Sequence, residues 1–341
     1  MNREQYMQRC LQLASLGLGY VHTNPLVGAV VVYGDRIIGE GYHERYGAAH
    51  AEVNALRNVS EKHLLQDSTL FINLEPCSHT GKTPPCTELI LKSGIPRVAI
   101  AMQDPFPAVN GRGIALLEKA GVEVVTGISE AQALHLNRRF ICYHTKNRPY
   151  LVLKWAQSKD GYAGVLDQPI RISNEDTRLL SHRWRREETG IIAGAGTILC
   201  DNPQLNNRLG SGPQPVRIVL DRSGRLSGRN NLHIFNGEQR TLIFTLKKDA
   251  AYAQAEKTVL KDSTTFLRDA MNIIRNENIV SCLCEGGPTL HREFIRQELW
   301  DECRTFVAPV HLVDGIPAAK IPDGETMVEM IGSDQFITVY K

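Results

Sequence analysis

One histidine, one glutamate and two cysteines stand in a pattern that suits zinc chemistry. His50 and Glu52 open a predicted helix, and Cys77 and Cys86 each follow a proline. One imidazole and two thiolates form a ligand set that zinc prefers, and they leave one tetrahedral position for a water molecule. Zinc lowers the pKa of such a water toward neutrality. Glu52, two residues beyond the histidine, is placed to take and return the water's proton.

Two other interpretations of these residues stay open. A closed structural zinc site would need a fourth protein ligand, and His79, between the two cysteines, is the near candidate. The histidine and the cysteines could also occur together by coincidence. An open catalytic site is favoured because a glutamate two residues after His50 and a proline before each cysteine resemble the signature of zinc-dependent nucleobase deaminases. The loop between the cysteines is longer than in that signature, but it is polar and compact.

Four polar residues near the motif are candidates for the wall of a substrate pocket. They are Asn24, His43, His79 and Lys82. Each would ordinarily be a surface or turn residue, but together they flank the predicted zinc ligands. A lysine and histidines would suit a phosphorylated substrate, because they supply positive charge and hydrogen-bond donors.

The first part of the chain, residues 1–147, alternates short strands with helices. Helices are expected over residues 3–17, 49–59, 86–94, 113–121 and 130–146, and strands over 27–33, 36–43, 69–76, 97–102 and 122–127. Gly34 and Asp35 predict a tight hairpin between the first two strands. The alternation is typical of a three-layer α/β domain, and Asn147-Arg148-Pro149 predicts a linker after it.

From Tyr150 the alternation starts again, so residues 148–341 are expected to form a second α/β domain. Strands are expected over 150–158, 189–196, 216–221, 241–245, 278–287, 304–310 and 335–340, and helices over 176–187 and 288–299. The two most apolar runs of the chain, Leu26–Tyr33 and Ile191–Cys200, are interpreted as buried strands.

Composition excludes several classes of protein. The chain has 341 residues, 42% of them hydrophobic and 22% charged, which fits two globular domains. A net charge of +2 gives no basis for a dedicated nucleic-acid or membrane-surface binder. No apolar run approaches the ~18 residues of a membrane helix, and no signal peptide is recognisable. We therefore expect a cytoplasmic protein that has no membrane or nucleic-acid partner.

The remaining cysteines are expected to be small buried hydrophobic residues and not to form disulfides. They are Cys10, Cys142, Cys200, Cys282, Cys284 and Cys303.

Longer segments resemble the bifunctional riboflavin-biosynthesis deaminase–reductases. TNPLVGAVVV, GYHERYGAAHAE, EPCSHTGKTPPC and MQDPFPAVNGRG are similar to the deaminase half of that family. Nucleobase deaminases usually separate the two cysteines by two residues, whereas here eight residues separate Cys77 from Cys86. LKWAQSKDG, GAGTILCDNPQLNNR, VRIVLD and CEGGPTLHREF are similar to the reductase half. The resemblance implies an N-terminal three-layer cytidine-deaminase-like domain and a C-terminal dihydrofolate-reductase-like α/β domain.

The resemblance also implies two consecutive reactions on a phosphoribosylated pyrimidine. The first is zinc-dependent deamination of 2,5-diamino-6-(5-phosphoribosylamino)pyrimidin-4-one. The second is NADPH-dependent reduction to 5-amino-6-(5-phosphoribitylamino)uracil. His50, Cys77 and Cys86 would then hold one Zn²⁺ ion, and Glu52 would shuttle protons.

For the reductase half, the family's motifs imply two groups of contacts. Substrate binding is implied for Lys154, Arg185, Leu205, Arg208 and Glu285. NADPH binding is implied for Ala156, Arg171, Thr197, Asp201, Gly287, Pro288, Thr289 and Leu290. The backbone N–H groups of Gly286–Leu290, at a predicted helix start, would suit the cofactor phosphates.

The chain departs from the family pattern at Arg171, Lys159, Asn202 and Asn206. Arg171 stands where the family commonly has a tryptophan, so it would replace an aromatic contact with a cationic one. The family also implies a homo-oligomer, either a dimer or a tetramer, formed through the reductase domain.

Two alternative functions remain. A nucleic-acid deaminase of the tRNA-adenosine type with an accessory domain would need a basic face, which the net charge does not supply. A non-catalytic zinc-binding scaffold would have no need of the carboxylate of Glu52.

Overall fold

A computed structural model describes residues 2–78, 84–105, 110–166 and 170–341. The chain divides into two compact units, Met1–Asn147 and Arg148–Lys341. Within the described ranges, no helix combines the length and the apolar character needed to cross a bilayer.

The first unit alternates helices and strands. In chain order its elements are α1 (Arg3–Ser15), β1 (Gly28–Tyr33), β2 (Arg36–Tyr42), α2 (Ala51–Arg57), a 3₁₀ helix (Lys62–Asp67), β3 (Ser68–Leu74), α3 (Cys86–Ser93), β4 (Arg97–Met102), α4 (Arg112–Lys119), β5 (Glu123–Thr126), α5 (Glu130–Leu136) and α6 (Arg138–Thr145). Strands β1 and β2 pair antiparallel up to Tyr33 and Arg36, which confirms the predicted hairpin.

These strands form one sheet in the order β2-β1-β3-β4-β5. Strand β1 is antiparallel to both of its neighbours, whereas β3, β4 and β5 run parallel. The carboxyl ends of β3 and β4 therefore lie side by side. The segments that follow these two strands begin at Glu75 and Gln103.

Two glycines bring helices onto opposite faces of this sheet. A Cβ on Gly28 would lie 2.1 Å from the Cys10 carbonyl oxygen in α1, and a Cβ on Gly41 would lie 2.3 Å from the Ala55 nitrogen in α2. Gly41 pairs with Ala29, the neighbour of Gly28, and successive strand residues point to opposite faces. Helices α1 and α2 thus enclose the sheet, as the predicted three-layer architecture requires.

The single helix predicted over residues 130–146 is wrong, because the chain forms α5 and α6 with a break at Asn137. The buried Asn137 side chain accepts a hydrogen bond from the Leu26 N–H at 2.8 Å and donates one to the Leu26 carbonyl at 3.0 Å. Asparagine side chains compete with helical hydrogen bonding, and here the competing partner is the backbone just ahead of β1.

The second unit is larger. In chain order its elements are β6 (Tyr150–Ser158), β7 (Tyr162–Gly164), α7 (Glu175–Glu187), β8 (Gly190–Gly194), α8 (Ala195–Asp201), β9 (Val216–Leu220), a 3₁₀ helix (His233–Phe235), β10 (Thr241–Thr245), β11 (Glu256–Val259), α9 (Phe266–Asn276), β12 (Ser281–Cys284), α10 (Pro288–Arg296), β13 (Glu302–Ala308), β14 (Ile316–Pro317), β15 (Glu325–Ile331) and β16 (Asp334–Tyr340).

Nine of these strands form one sheet in the order β11-β10-β9-β8-β12-β6-β13-β16-β15. The run from β11 to β13 is parallel, and β16 and β15 continue it antiparallel. The chain leaves β6 through α7 toward β8, but leaves β12 through α10 toward β13, in the opposite direction. Such a reversal opens a crevice at the carboxyl ends of parallel strands, where ligands commonly bind.

The interpretation of Ile191–Cys200 as one buried strand is wrong. Strand β8 ends at Gly194, and α8 begins at Ala195. The end of α8 reaches the surface, so Cys200 is exposed and not buried as expected. A short apolar run cannot by itself distinguish a buried strand from a buried helical turn.

Besides α8, five further α-helices and strands were not predicted, namely β7, α9, β11, β14 and β15. The buried face of α9 has the helical period, with Phe266, Leu267, Ala270, Met271 and Ile274, so its signal was available in the sequence. Strand β15 is exposed at every position except its last, and it therefore has no alternating apolar pattern to detect.

Candidate active sites

Three element ends bring the predicted zinc ligands together in the first unit. His50 is the residue that caps α2, Cys77 follows β3, and Cys86 is the first residue of α3. His50 Nδ1 lies 3.2 Å from Cys86 Sγ and 3.6 Å from Cys77 Sγ. All three donor atoms lie within 4.8 Å of one another. Donors around tetrahedral zinc are about 3.5–3.8 Å apart, so these residues fit the ion.

The start of α3 stabilises the turn that carries Cys77. The Cys86 N–H donates to Cys77 Sγ at 3.3 Å, and the Thr87 N–H donates to the Cys77 carbonyl at 3.2 Å. Hydrogen bonds from the Cys86 thiol and from His50 hold the pKa of Cys77 below its usual value, although burial opposes this. A lowered thiol pKa favours the thiolate form that binds metals.

Glu52 is buried in the first turn of α2, next to the three donors. Burial raises the pKa of its carboxyl, and its interactions with Cys77, His50 and Cys86 place it at the edge of the ligand set. A carboxyl with a raised pKa accepts a proton more readily than an ordinary one, which suits it to take up and pass on a proton during a reaction.

Asn24 and His43 adjoin this centre. His43 Nδ1 lies 3.0 Å from the Ala49 carbonyl oxygen, so it donates there, and Nε2 can accept from the Asn24 amide at 2.9 Å. Burial lowers the pKa of His43, which favours the neutral ring. The His43 ring centroid is 5.7 Å from that of His50. The other two pocket candidates, His79 and Lys82, lie outside the described residues.

In the second unit, a buried ion pair lies at the carboxyl end of β12, level with the middle of β6. Arg185, on α7, places Nε 3.0 Å and Nη2 2.5 Å from the two carboxylate oxygens of Glu285, which directly follows β12. The Arg185 side chain is 13% exposed and that of Glu285 is 10% exposed. Lys154 extends from β6 toward the same pair, as its electrostatic interactions with both residues show.

These charges shift one another's protonation. Burial alone would raise the pKa of Glu285, but Arg185 and Lys154 outweigh it and lower this pKa to about 2. Burial lowers the pKa of Lys154. The site therefore holds a firmly ionised carboxylate beside an ammonium group that releases its proton more readily than usual.

His182 belongs to this cluster, although the sequence did not single it out. It lies 3.4 Å from Arg185 Nη1 and accepts from the Arg208 N–H at 3.4 Å. Asn206 links the two arginines, because Arg185 Nη1 donates to its carbonyl at 3.1 Å and Arg208 Nη1 donates to its Oδ1 at 3.2 Å. The available signal was spacing, since residues three apart on a helix share a face.

The predicted phosphate cradle lies where α8 and α10 begin. Gly287 caps α10 and Pro288 occupies its first position. A Cβ on Gly287 would lie 3.4 Å from Thr197 Oγ1 of α8. Fewer backbone N–H groups are available to a phosphate than predicted. Pro288 has no N–H, and the Leu290 N–H already donates to the Gly287 carbonyl at 3.0 Å.

The remaining predicted reductase residues are not all in one place. Ala156 lies two residues beyond Lys154 on β6, on the same face of the sheet. Asp201 ends α8 and is exposed. The Leu205 side chain is 2% exposed in the hydrophobic core, which leaves its backbone for any ligand. Arg171 is exposed and pairs with Glu175 at 2.7 Å, so its cation faces a carboxylate on its own segment.

Comparison with known proteins assigns each half of the chain. Residues 1–102 match the cytidine and deoxycytidylate deaminase zinc-binding region, and residues 149–329 match the RibD C-terminal domain. The chain is 40% identical to the riboflavin biosynthesis protein RibD of Bacillus amyloliquefaciens, over 96% of this chain and 90% of the relative. It is 38% identical to RibD of Aquifex aeolicus, over 92% of this chain and 88% of that protein.

A solved structure extends the similarity to the fold. The diaminohydroxyphosphoribosylaminopyrimidine deaminase/5-amino-6-(5-phosphoribosylamino)uracil reductase of Thermotoga maritima superimposes with a TM-score of 0.91 at 36% identity, covering 99% of this chain and 98% of that one. The fold class predicted from the resemblance, a cytidine-deaminase-like domain followed by a reductase domain, is thereby confirmed. The chain belongs to the RibD family of bifunctional riboflavin-biosynthesis deaminase–reductases.

Proposed function

We propose that this chain catalyses both reactions, deamination in residues 1–147 and reduction in residues 148–341. The observation that carries the deaminase assignment is the buried Glu52 carboxyl beside the converging atoms of His50, Cys77 and Cys86. A closed structural zinc site would not need a buried carboxyl beside its ligands, because it transfers no proton.

In the deaminase site, each residue has a distinct role. Zinc, when bound by His50, Cys77 and Cys86, supplies Lewis-acid activation of a water molecule. Glu52 accepts a proton from the attacking water and delivers it to the departing 2-amino group, which leaves as ammonia. Asn24 and His43 orient the pyrimidine ring through hydrogen bonds.

In the reductase site, NADPH supplies a hydride when bound. Lys154 and Arg208 provide positive charge for the phosphorylated substrate, and Arg185 and Glu285 hold these cations in place. The lowered pKa of Lys154 suits it to supply the proton that accompanies the hydride. Gly287 and Thr289 present the α10 backbone to the cofactor phosphates, and Thr197 lines the same crevice.

The test is a two-stage assay of the purified protein loaded with zinc. With the diaminopyrimidine substrate alone, we expect one ammonia per substrate and no further product. On adding NADPH, we expect one NADPH oxidised per deaminated molecule, with the ribityl compound formed. Ammonia release without NADPH oxidation would overturn the reductase assignment. Deamination of a tRNA anticodon stem in preference to the pyrimidine would favour the nucleic-acid alternative.

We also propose a homo-oligomer that acts in the cytoplasm. Strand β15 is the last strand at one edge of its sheet and exposes Met327, Val328 and Met330, an apolar edge that a second copy could cover. Buried free thiols such as Cys282 and Cys303 suit a reducing compartment. Sedimentation equilibrium of the full chain tests the oligomer, and a monomer at micromolar concentration would contradict it.

A further inference from the structure

Glu75 is a buried carboxylate that the sequence motifs leave without a role. It lies two residues before Cys77 and is 3% exposed. Its oxygens accept backbone hydrogen bonds from four residues, which are Asp104 at 3.2 Å, Gly111 at 2.9 Å, Gly113 at 2.8 Å and Ile114 at 3.4 Å. Among the described residues, no ion pair to this carboxylate is found, so backbone N–H groups compensate its charge.

The two carboxylate oxygens of Glu75 accept hydrogen bonds from different parts of the backbone. Oε2 accepts from both Asp104 and Gly111, so one atom joins the two ends of the segment between β4 and α4. Oε1 accepts from Gly113 and Ile114, in the first turn of α4. The first N–H groups of a helix lack intrahelical partners and favour a negative charge. Glu75 thus caps the start of α4, although it is distant from this helix in sequence.

The same helix turn presses on the residue between Glu75 and Cys77. A Cβ on Gly113 would lie 2.2 Å from the Pro76 carbonyl oxygen, so α4 packs directly against the peptide that leads into Cys77. On the other side, the Cys77 carbonyl accepts from the Thr87 N–H in α3. The backbone of Cys77 is therefore held between two helix starts.

We propose that Glu75 is a positioning residue for the zinc ligand Cys77. By fixing the first turn of α4 against Pro76, its carboxylate sets the distance of Cys77 Sγ from His50 and Cys86. Metal and catalytic constellations tolerate displacements of only about 0.5 Å. This inference rests on the proposed zinc-dependent deamination.

The test compares Glu75→Gln with Glu88→Gln in the full-length protein. A glutamine keeps the shape of Glu75, but its amide nitrogen cannot accept hydrogen bonds, so two of the four backbone donors lose their partner. Glu88 is the matched control, because it is an exposed carboxylate in the first turn of α3, the helix that carries Cys86, and it pairs only loosely with Lys92 at 3.5 Å.

Three measurements report on the metal site: the rate of zinc transfer, the Co²⁺ absorption spectrum and the deaminase kcat. Zinc transfer to a chromogenic chelator should be roughly tenfold faster in Glu75→Gln than in the parent, the lower range for residues that support metal ligands. The visible absorption bands of the Co²⁺-substituted protein should shift, because they report the geometry of the ligand set. The deaminase kcat should fall more than KM changes. NADPH oxidation with the deaminated intermediate should stay at the parent level, and Glu88→Gln should match the parent throughout.

Unchanged zinc transfer and an unchanged Co²⁺ spectrum in folded Glu75→Gln would overturn the inference. If that variant fails to fold, Gly113→Ala decides, because its Cβ would crowd both the Pro76 carbonyl and the Glu75 carboxylate and so displace α4 without altering any zinc ligand. It should reproduce the spectral shift, and a parent-like spectrum would refute the proposal. A parent protein that binds no zinc or releases no ammonia would instead refute the proposed function itself.

Discussion

Arg185 and Glu285 form a two-point ion pair in the second unit, although 100 residues separate them. Arg185 comes from the face of α7, and Glu285 from the end of a central strand. Each charge is removed from water and is compensated mainly by the other. The pair fixes the spot where Lys154, His182 and the Asn206–Arg208 segment meet, which is the place where we propose the phosphorylated substrate binds.

Glu285→Gln should destabilise the protein and impair reduction. Removing one partner leaves the Arg185 charge buried without compensation, which typically costs about 3 kcal/mol or more. A misplaced cation in the site should also lower the reductase kcat/KM by roughly 10²-fold. Urea unfolding and steady-state NADPH oxidation measure the two effects. Glu298→Gln, on an exposed carboxylate, serves as control, and equal behaviour of the two variants would contradict this prediction.

The same carboxylate should give the stability a distinct pH dependence. The Glu285 pKa of about 2 lies below the ordinary value of 4.5. Its stabilising contribution is therefore complete above pH 4.5 and is lost as the pH falls toward 2. Between pH 6 and pH 3, the parent should lose about 2 kcal/mol more free energy of unfolding than Glu285→Gln. If the parent and Glu285→Gln lose the same free energy of unfolding between these two pH values, the Glu285 pKa is not depressed.

Glu52→Gln should retain zinc and fold while losing deamination. Loss of the proton shuttle removes a contribution of about 10²–10⁴-fold to the rate. Ammonia release is measured on protein whose zinc content has been determined, with the exposed Glu61→Gln variant as control. Parent-like ammonia release by a zinc-loaded Glu52→Gln protein would refute the role of Glu52.

Cys77→Ser should separate the two activities. A neutral hydroxyl replaces an anionic soft ligand, so zinc binding weakens and deamination falls with it. NADPH oxidation should persist when the deaminated intermediate is supplied directly. Cys200→Ser, which alters an exposed thiol of the other unit, should leave both activities intact. Loss of both activities in folded Cys77→Ser would contradict the independence of the two sites.

Larger side chains at Gly287 should raise the KM for NADPH progressively. An alanine Cβ would meet Thr197 Oγ1 at an ordinary 3.4 Å, so Gly287→Ala should raise the KM for NADPH only slightly. Gly287→Val adds two methyl groups at the proposed phosphate cradle and should raise that KM far more than the KM for substrate. NADPH titration of both variants checks this order, while deamination serves as the internal control. An unchanged cofactor KM in Gly287→Val would remove this turn from the site.

Local sequence predicted the three residues whose donor atoms converge in the candidate zinc site, and it predicted much of the architecture. His50 and Cys86 stand at helix starts and Cys77 stands beyond a strand end. The neighbouring apolar runs predict these positions, as do the prolines that precede the two cysteines. The hairpin at Gly34-Asp35 follows from turn chemistry that involves neighbouring residues only. The choice of zinc could be predicted because donor type alone narrows the choice of metal.

The sequence did not show which charged groups lose contact with water. Arg185 belongs to an arginine-rich helix segment, and its burial depends on Glu285, which reaches it only when β12 is inserted between β6 and β8. His182 gains its role in the same way. Leu205 matched a binding motif, yet its side chain packs in the core.

The sequence by itself therefore determined the chemistry, since donor types, motif spacing and element ends are properties of neighbouring residues. Tertiary structure decided which residues become hydrogen-bond partners and which charges are buried. Asn137 divides a predicted helix because Leu26 lies within reach of its amide, and Glu75 acquires its four donors because the ends of β3 and β4 lie side by side. Such contacts join residues tens of positions apart, and hydrogen bonds and burial at that range depend on the packing of the whole sheet.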